Sequence, residues 1–195
     1  TTIIDGQQIA ACIKLLSGGY SSPTIKGFTI RNGYANGEME NNEFNQGGGI
    51  QIGAHYYPAY LSDLIIENCT SVSGGTSGAG GGIFSGGSSL EISNVQMNNN
   101  SATEHGGGIY FLSGADPRDY TLDIDSSYIS GNAADQSGGG VYIAKSSSGP
   151  ANPIVQLSNT TVTNNTSGND GGGVSLNEVN ATFENCTVSE NTATN

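Results

Sequence analysis

The sequence predicts an all-β parallel solenoid, and three observations predict it. Gly-Gly-Gly triplets recur at 47–49, 80–82, 106–108, 138–140 and 171–173, each followed by Ile or Val. Counting 12 residues back from the last four triplets gives a corner column, Asn68, Asn94, Ser126 and Asn159, which Asn185 continues. Between these markers apolar and polar residues alternate, the pattern of short strands with one buried face. Recurrence at such a period marks one structural unit stacked on copies of itself.

Each element follows in that register. Ile50, Ile83, Ile109, Val141 and Val174 open a first strand behind each triplet. Leu64/Ile66, Leu90/Ile92, Leu122/Ile124, Val155/Leu157 and Ala181/Phe183 precede the corner column and form a second strand. Ser71, Met97, Ile129, Val162 and Val188, three residues past the corner, mark a third strand. Six residues past it stand Gly74, Asn100, Asn132, Asn165 and Asn191. Asn and Gly suit corners because both tolerate positive φ. Stacked Asn amides also hydrogen-bond along the axis, which makes Asn68, Asn94, Asn159, Asn185, Asn100, Asn132, Asn165 and Asn191 the expected structural ladder.

The triplet intervals are 33, 26, 32 and 33 residues, so the minimum rung is 26 residues. Residues 1–195 read as a single domain of about five rungs of three strands: irregular N-terminal rungs over 1–46 and triplet rungs over 47–195. In the former, Phe28, Ile30 and Asn32 match the second strand, residues 9–15 the first, and residues 1–5 a preceding third strand. No capping element is visible, which reads as a fragment or a repeating unit open to end-to-end stacking into a filament.

Composition narrows the function class. Formal charge is −12 with five basic residues, which disfavours nucleic acid and anionic membranes as partners. No apolar run is long enough to span a bilayer. Low charge density with abundant Asn, Ser, Thr and Gly favours an extracellular or cell-surface setting. Three cysteines make a disulfide framework unexpected. Cys69 and Cys186 read as register equivalents about 19 Å apart, beyond the reach of a bridge.

The three long rungs exceed the minimum by 7, 6 and 7 residues, all placed between the first and second strands. Loops 54–60, 114–120 and 146–153 therefore form a ridge at one corner of the rod. Tyr56, Tyr57, Tyr60, Asp116, Arg118, Asp119, Tyr120 and Lys145 are its candidate binding residues. Exposed aromatics beside charged groups suit a sugar ring or a protein partner. The plainer alternative is loop variation with the tyrosines packed on the rod's flank. Glu67, Glu91, Asp123, Asp125 and Glu184 read as an outward acidic stripe on the second strand. Asp123 and Asp125 are weak Ca²⁺ candidates in it; otherwise the stripe is a solvated face and no cofactor is expected. His55 and His105, on different corners, read as solvated loop histidines.

The GGGI stretches followed by x-x-Φ-x-x-N, and the opening IIDG…GFTIRNG…GGGI, resemble right-handed parallel β-helix repeat proteins of bacterial surfaces. These include polymorphic outer-membrane autotransporter passengers and pectate-lyase-like secreted proteins. The resemblance implies right-handed winding and a secreted or surface structural or adhesive module. Its alternative is a polysaccharide-binding or lyase-like protein. The NTD, DD, GHG and RIK set of polygalacturonase-like hydrolases is absent, and a lyase would depend on Arg118 or Lys145 near the ridge.

Overall fold

The computed structural model describes residues 2–18, 20–40, 43–74, 78–149 and 152–194. Among them every regular element is a strand, and no helix is long and apolar enough to cross a membrane. Three parallel sheets wrap the chain. A six-stranded sheet stacks the first strands, from Ile13–Leu15 through Ile50–Ile52, Ile83–Gly86, Ile109–Leu112 and Val141–Ala144 to Val174–Asn177. The second and third strands merge into one 11-stranded sheet, most plainly in the nine-residue strands Ala59–Glu67 and Leu90–Asn98. A second six-stranded sheet consists of two-residue strands behind the ladder position, among them Tyr34–Ala35, Thr70–Ser71 and Ser101–Ala102.

Alternation sends one side chain of each pair inward. Ile30, Ile50, Leu61, Leu64, Ile66, Ile83, Leu90, Met97, Ile109 and Phe111 are fully buried. At about 1.5–3 kcal/mol for each such side chain, this axial column supplies most of the driving force for winding. Two columns of positive-φ residues turn the chain between strands. One runs Gly27, Asp63, Asn94, Ser126, Asn159, Asn185; the other runs Asn32, Asn68, Asn99, Gly131, Asn164, Glu190.

The pairing Asn94 opposite Asp63, implied by Ser93↔Ser62 and Val95↔Leu64, corrects the expected register of the first triplet rung. Asn68 stands level with Asn99, not Asn94. Leu64/Ile66 and Phe28/Ile30 accordingly belong to the third strand. Ser71 pairs with Ala102, and Cys69, not Gly74, occupies the ladder position beside Asn100. The cause is that Ala59, Leu61, Leu64 and Ile66 all bury inward along one strand, so either half fits a Φ-x-Φ template. With this register Cys69 and Cys186 are no longer equivalent. Cys186 follows the corner residue Asn185, whereas Cys69 follows the later corner residue Asn68.

The insertion pattern shifts with it. Gly49 to Ala59 is only slightly longer than Gly82 to Leu90, while 72–79 carries most of the extra length of that rung. Most of the extra length of the first long rung thus falls at another corner, where residues 75–77 lie outside the described residues. The rung before carries an antiparallel hairpin, Met39–Glu40 with Glu43–Phe44, between the strand Tyr34–Ala35 and the first triplet. Loops 114–120 and 146–153 do emerge at the corner between the first and second strands; Pro150 and Ala151 lie outside the described residues.

Within a triplet the three glycines have separate reasons, as 106–108 shows. Gly106 has φ +66°. A Cβ on Gly107 would overlap the carbonyl oxygens of Ala133 and Gly139. A Cβ on Gly108 would overlap the Gly140 carbonyl oxygen and press against the Asn132 amide at 3.3 Å.

The buried ladder comprises Asn100, Asn132, Asn165 and Asn191. Each Nδ2 donates to the next Oδ1, at 3.0, 2.9 and 2.9 Å, and the same oxygens accept the backbone N–H of the preceding ladder residue. Asn68, Asn94, Asn159 and Asn185 lie on the surface at positive φ. Asn94 donates to Asp63 at 2.7 Å and Asn159 to Asp125 at 2.8 Å.

Candidate functional site

The ridge closes around a cavity of about 360 Å³ lined by Tyr20, His55, Tyr56, Asp116 and Arg118, among others. Three connections between first and second strands supply them: the segment after Leu15, the segment after Ile52, and loop 114–120. The rung with the short connection lies between the last two, so loop 114–120 reaches back across it.

Arg118 fastens that reach. Its Nε donates to both Asp116 oxygens at 2.9 Å, and Nη2 pairs with Asp116 Oδ2 at 2.8 Å. Nη1 donates to the carbonyls of His55 and Tyr56 at 3.2 and 3.0 Å. The guanidinium carbon sits 4.9 Å from the Tyr56 ring centroid and 5.3 Å from that of Tyr120. Cation–π contact of this kind holds a ring in place while leaving its other face open. The Arg118 hydrogen bond keeps the Asp116 carboxyl at about 2, and Asp116 in turn raises the guanidinium's affinity for its proton. Arg118 is therefore a fixed cation with its donors directed at the loops.

Tyr56 is 56 % exposed, and Tyr20 beside it 80 %, with ring centroids 5.8 Å apart. Tyr57 meets Tyr56 edge-on at 5.0 Å. The sequence missed Tyr20, because loop 16–23 belongs to a rung without a triplet.

Tyr120 departs from the expected exposed ridge. It is 3 % exposed, its ring joins the axial core, and its hydroxyl donates to Asp116 Oδ1 at 3.0 Å. Gly114 makes room, since a Cβ there would overlap the Tyr120 hydroxyl. Burial is the main reason the phenol holds its proton more tightly than usual. The histidines also depart from expectation. His55 is 7 % exposed, with Nδ1 2.9 Å from Gly53 O. His105 stacks on Tyr142 at 4.3 Å. Asp119 is exposed and Lys145 half-buried; neither lines the cavity.

Tyr60 lies on the second strand and lines a different groove, of about 200 Å³, with Glu91, Asp123 and Asp125. Glu91 pairs with Asp123 in register, whereas Glu67 stands on the third strand opposite Arg31 and Asn98, outside the stripe. Asp125 accepts from Asn159 at 2.8 Å, Ser158 at 2.7 Å and Ser126 at 2.8 Å, led by Asn159 in lowering its pKa. Among the described residues no three His, Cys, Asp or Glu side chains converge as a metal site.

A second feature escaped the sequence reading: an aromatic stack on the outer side of the first sheet. Phe84 and Tyr110 stack at 5.4 Å, and Tyr110 and Tyr142 at 5.2 Å, with interplanar angles of 13° and 17°. Each follows the β-branched residue behind a triplet, so the signal was present as GGGIF, GGGIY and GGGVY. Tyr142 is buried and its hydroxyl accepts from Asn177 Nδ2 at 3.2 Å, which makes this stack a structural rib.

Comparison with known proteins agrees with this architecture. No curated protein and no solved structure matches the chain. The family described as right handed beta helix region matches residues 13–123, more than half of the chain. With its triplet strands, corner columns and axial core inside or continuous with that match, the chain belongs to the right-handed β-helix family.

Proposed function

We propose that this β-helix is a structural or adhesive module of a secreted or cell-surface protein, and that its ridge cavity holds one sugar residue of a glycan. The single observation carrying the reading is the placement of Tyr20 and Tyr56 beside a cavity braced by Arg118 and Asp116. Exposed tyrosine faces supply apolar contact for the C–H face of a pyranose at low entropic cost. The Asp116 carboxylate, 46 % exposed on its side chain, is an acceptor for sugar hydroxyls at the rim. All three guanidinium nitrogens of Arg118 are already engaged with protein atoms, which favours a binding role over base chemistry for it.

The test is a glycan array followed by calorimetric titration of the strongest hit. The native chain binds, Tyr56→Ala and Tyr20→Ala each weaken binding about tenfold or more, and Tyr60→Ala leaves it unchanged. Binding that survives both ridge substitutions moves the site elsewhere. No binding to any glycan removes the reading.

A further inference from the structure

The N-terminal end of the solenoid breaks the ladder rule in a paired way. In later rungs the third triplet glycine faces a ladder Asn: Gly82 faces Asn100 and Gly108 faces Asn132. In the first triplet rung Gly49 faces Cys69, whose Sγ would lie 3.3 Å from a Cβ on that glycine. One rung earlier the order of sizes reverses. Cys12, adjacent to Ile13 opposite Ile50, takes the glycine's place, and Gly33 takes the ladder position. A Cβ on Gly33 would lie 3.0 Å from Cys12 Sγ, while the Gly33 N–H donates to Cys69 Sγ at 3.4 Å. Both sulfurs thus converge on the same glycine from adjacent rungs.

We propose that Cys12 and Cys69 are an oxidisable pair that forms an inter-rung disulfide, fastening the N-terminal rung to the first triplet rung. The third thiol has no part in this, because Cys186 follows a strand at the far end of the 11-stranded sheet. The two thiols differ in a way that makes Cys12 the first to attack. Cys12 is half-buried and Cys69 buried. The neighbouring thiol lowers the Cys12 pKa, and the Cys12 thiol together with burial raises that of Cys69. The Cys12 thiolate attacks a small-molecule disulfide such as oxidised glutathione and expels one thiolate. Cys69 then loses its proton and attacks the Cys12 sulfur, which expels the second. One protein S–S bond forms, and the external disulfide is reduced to two thiols.

The experiment uses Cys186→Ser, whose hydroxyl can replace the Cys186 donor to Leu157 O. The folded variant is incubated with oxidised glutathione, and its intact mass and proteolytic map are measured without reductant. The expected result is a monomer lighter by two hydrogens, with a Cys12–Cys69 peptide link that dithiothreitol removes. Closing a long loop should also raise the melting temperature by about 5–10 °C. The native chain, mapped the same way, gives the same link if Cys186→Ser folds poorly. Persisting free thiols, a stable mixed disulfide on Cys12, or links only between chains would each overturn the proposal.

Discussion

Asn132 Oδ1 accepts both the backbone N–H and the side-chain amide of Asn100, each at 3.0 Å. Asn132 Nδ2 donates onward to Asn165 Oδ1 and to Met97 O. One buried carboxamide therefore satisfies two backbone groups of the preceding rung. Replacing it with apolar bulk leaves those groups unpaired in the interior. Asn132→Ala should destabilise the chain by about 3 kcal/mol, measured by urea denaturation. Asn191→Ala, at the less buried end of the ladder, should cost clearly less. Equal losses at both positions would show that burial of the ladder does not set its strength.

Close approach of the rungs gives a second expectation. Gly107→Ala forces a methyl group into the carbonyl oxygens of Ala133 and Gly139, where backbone on both sides must move. The cost should be at least about 3 kcal/mol. Gly27, unlike Gly107, has positive φ; a Cβ there meets nothing within 4 Å, and its column continues as Asp63, Asn94 and Ser126. Gly27→Asn should therefore fall within about 0.5 kcal/mol of the native chain. Thermal melts of the two variants separate steric demand from turn demand.

His105 gives a pH-dependent stability. Burial against Tyr142 lowers its pKa below 6.5, with the Glu104 charge opposing the shift. The unfolded chain takes up this proton first as pH falls, so the stability contribution is present above 6.5 and declines through the folded pKa. The melting temperature should drop between pH 7 and 5, and His105→Gln should flatten that drop. An unchanged slope in the variant would assign the effect to another group.

Asp116 titrates in a separate window. Its carboxyl sits near 2 because Arg118 donates to it, so the clamp should hold from neutral pH to about 3 and loosen as pH falls through 2. Since Tyr56 packs under the guanidinium, its ring resonances should report the change. Asp116→Asn should release Tyr56 already at neutral pH while leaving the axial core folded.

Much of the architecture was legible because stacking repeats both the residue and its reason. The triplets mark the first strand, and the Asn100, Asn132, Asn165 and Asn191 column marks the ladder. The register of the first triplet rung was not legible. Leu64-x-Ile66-x-Asn68 and Leu90-x-Ile92-x-Asn94 look alike, yet inward alternation continues through nine residues and two corners end on Asn. At the ridge, Tyr56, Asp116 and Arg118 were recognisable as loop residues, but their union was not. It depends on a loop crossing a short rung and on Tyr20 from a rung without a triplet.

Alternation and positive-φ corners are local properties repeated at a fixed period, so the residues alone specify a parallel β-solenoid. Tertiary structure alone decided which columns face one another. Cys69 replaces a ladder Asn, Tyr120 turns into the core, and Cys12 meets Cys69 across Gly33. Each outcome depends on the space a neighbouring rung leaves, and that space is set by the side chains stacked above and below.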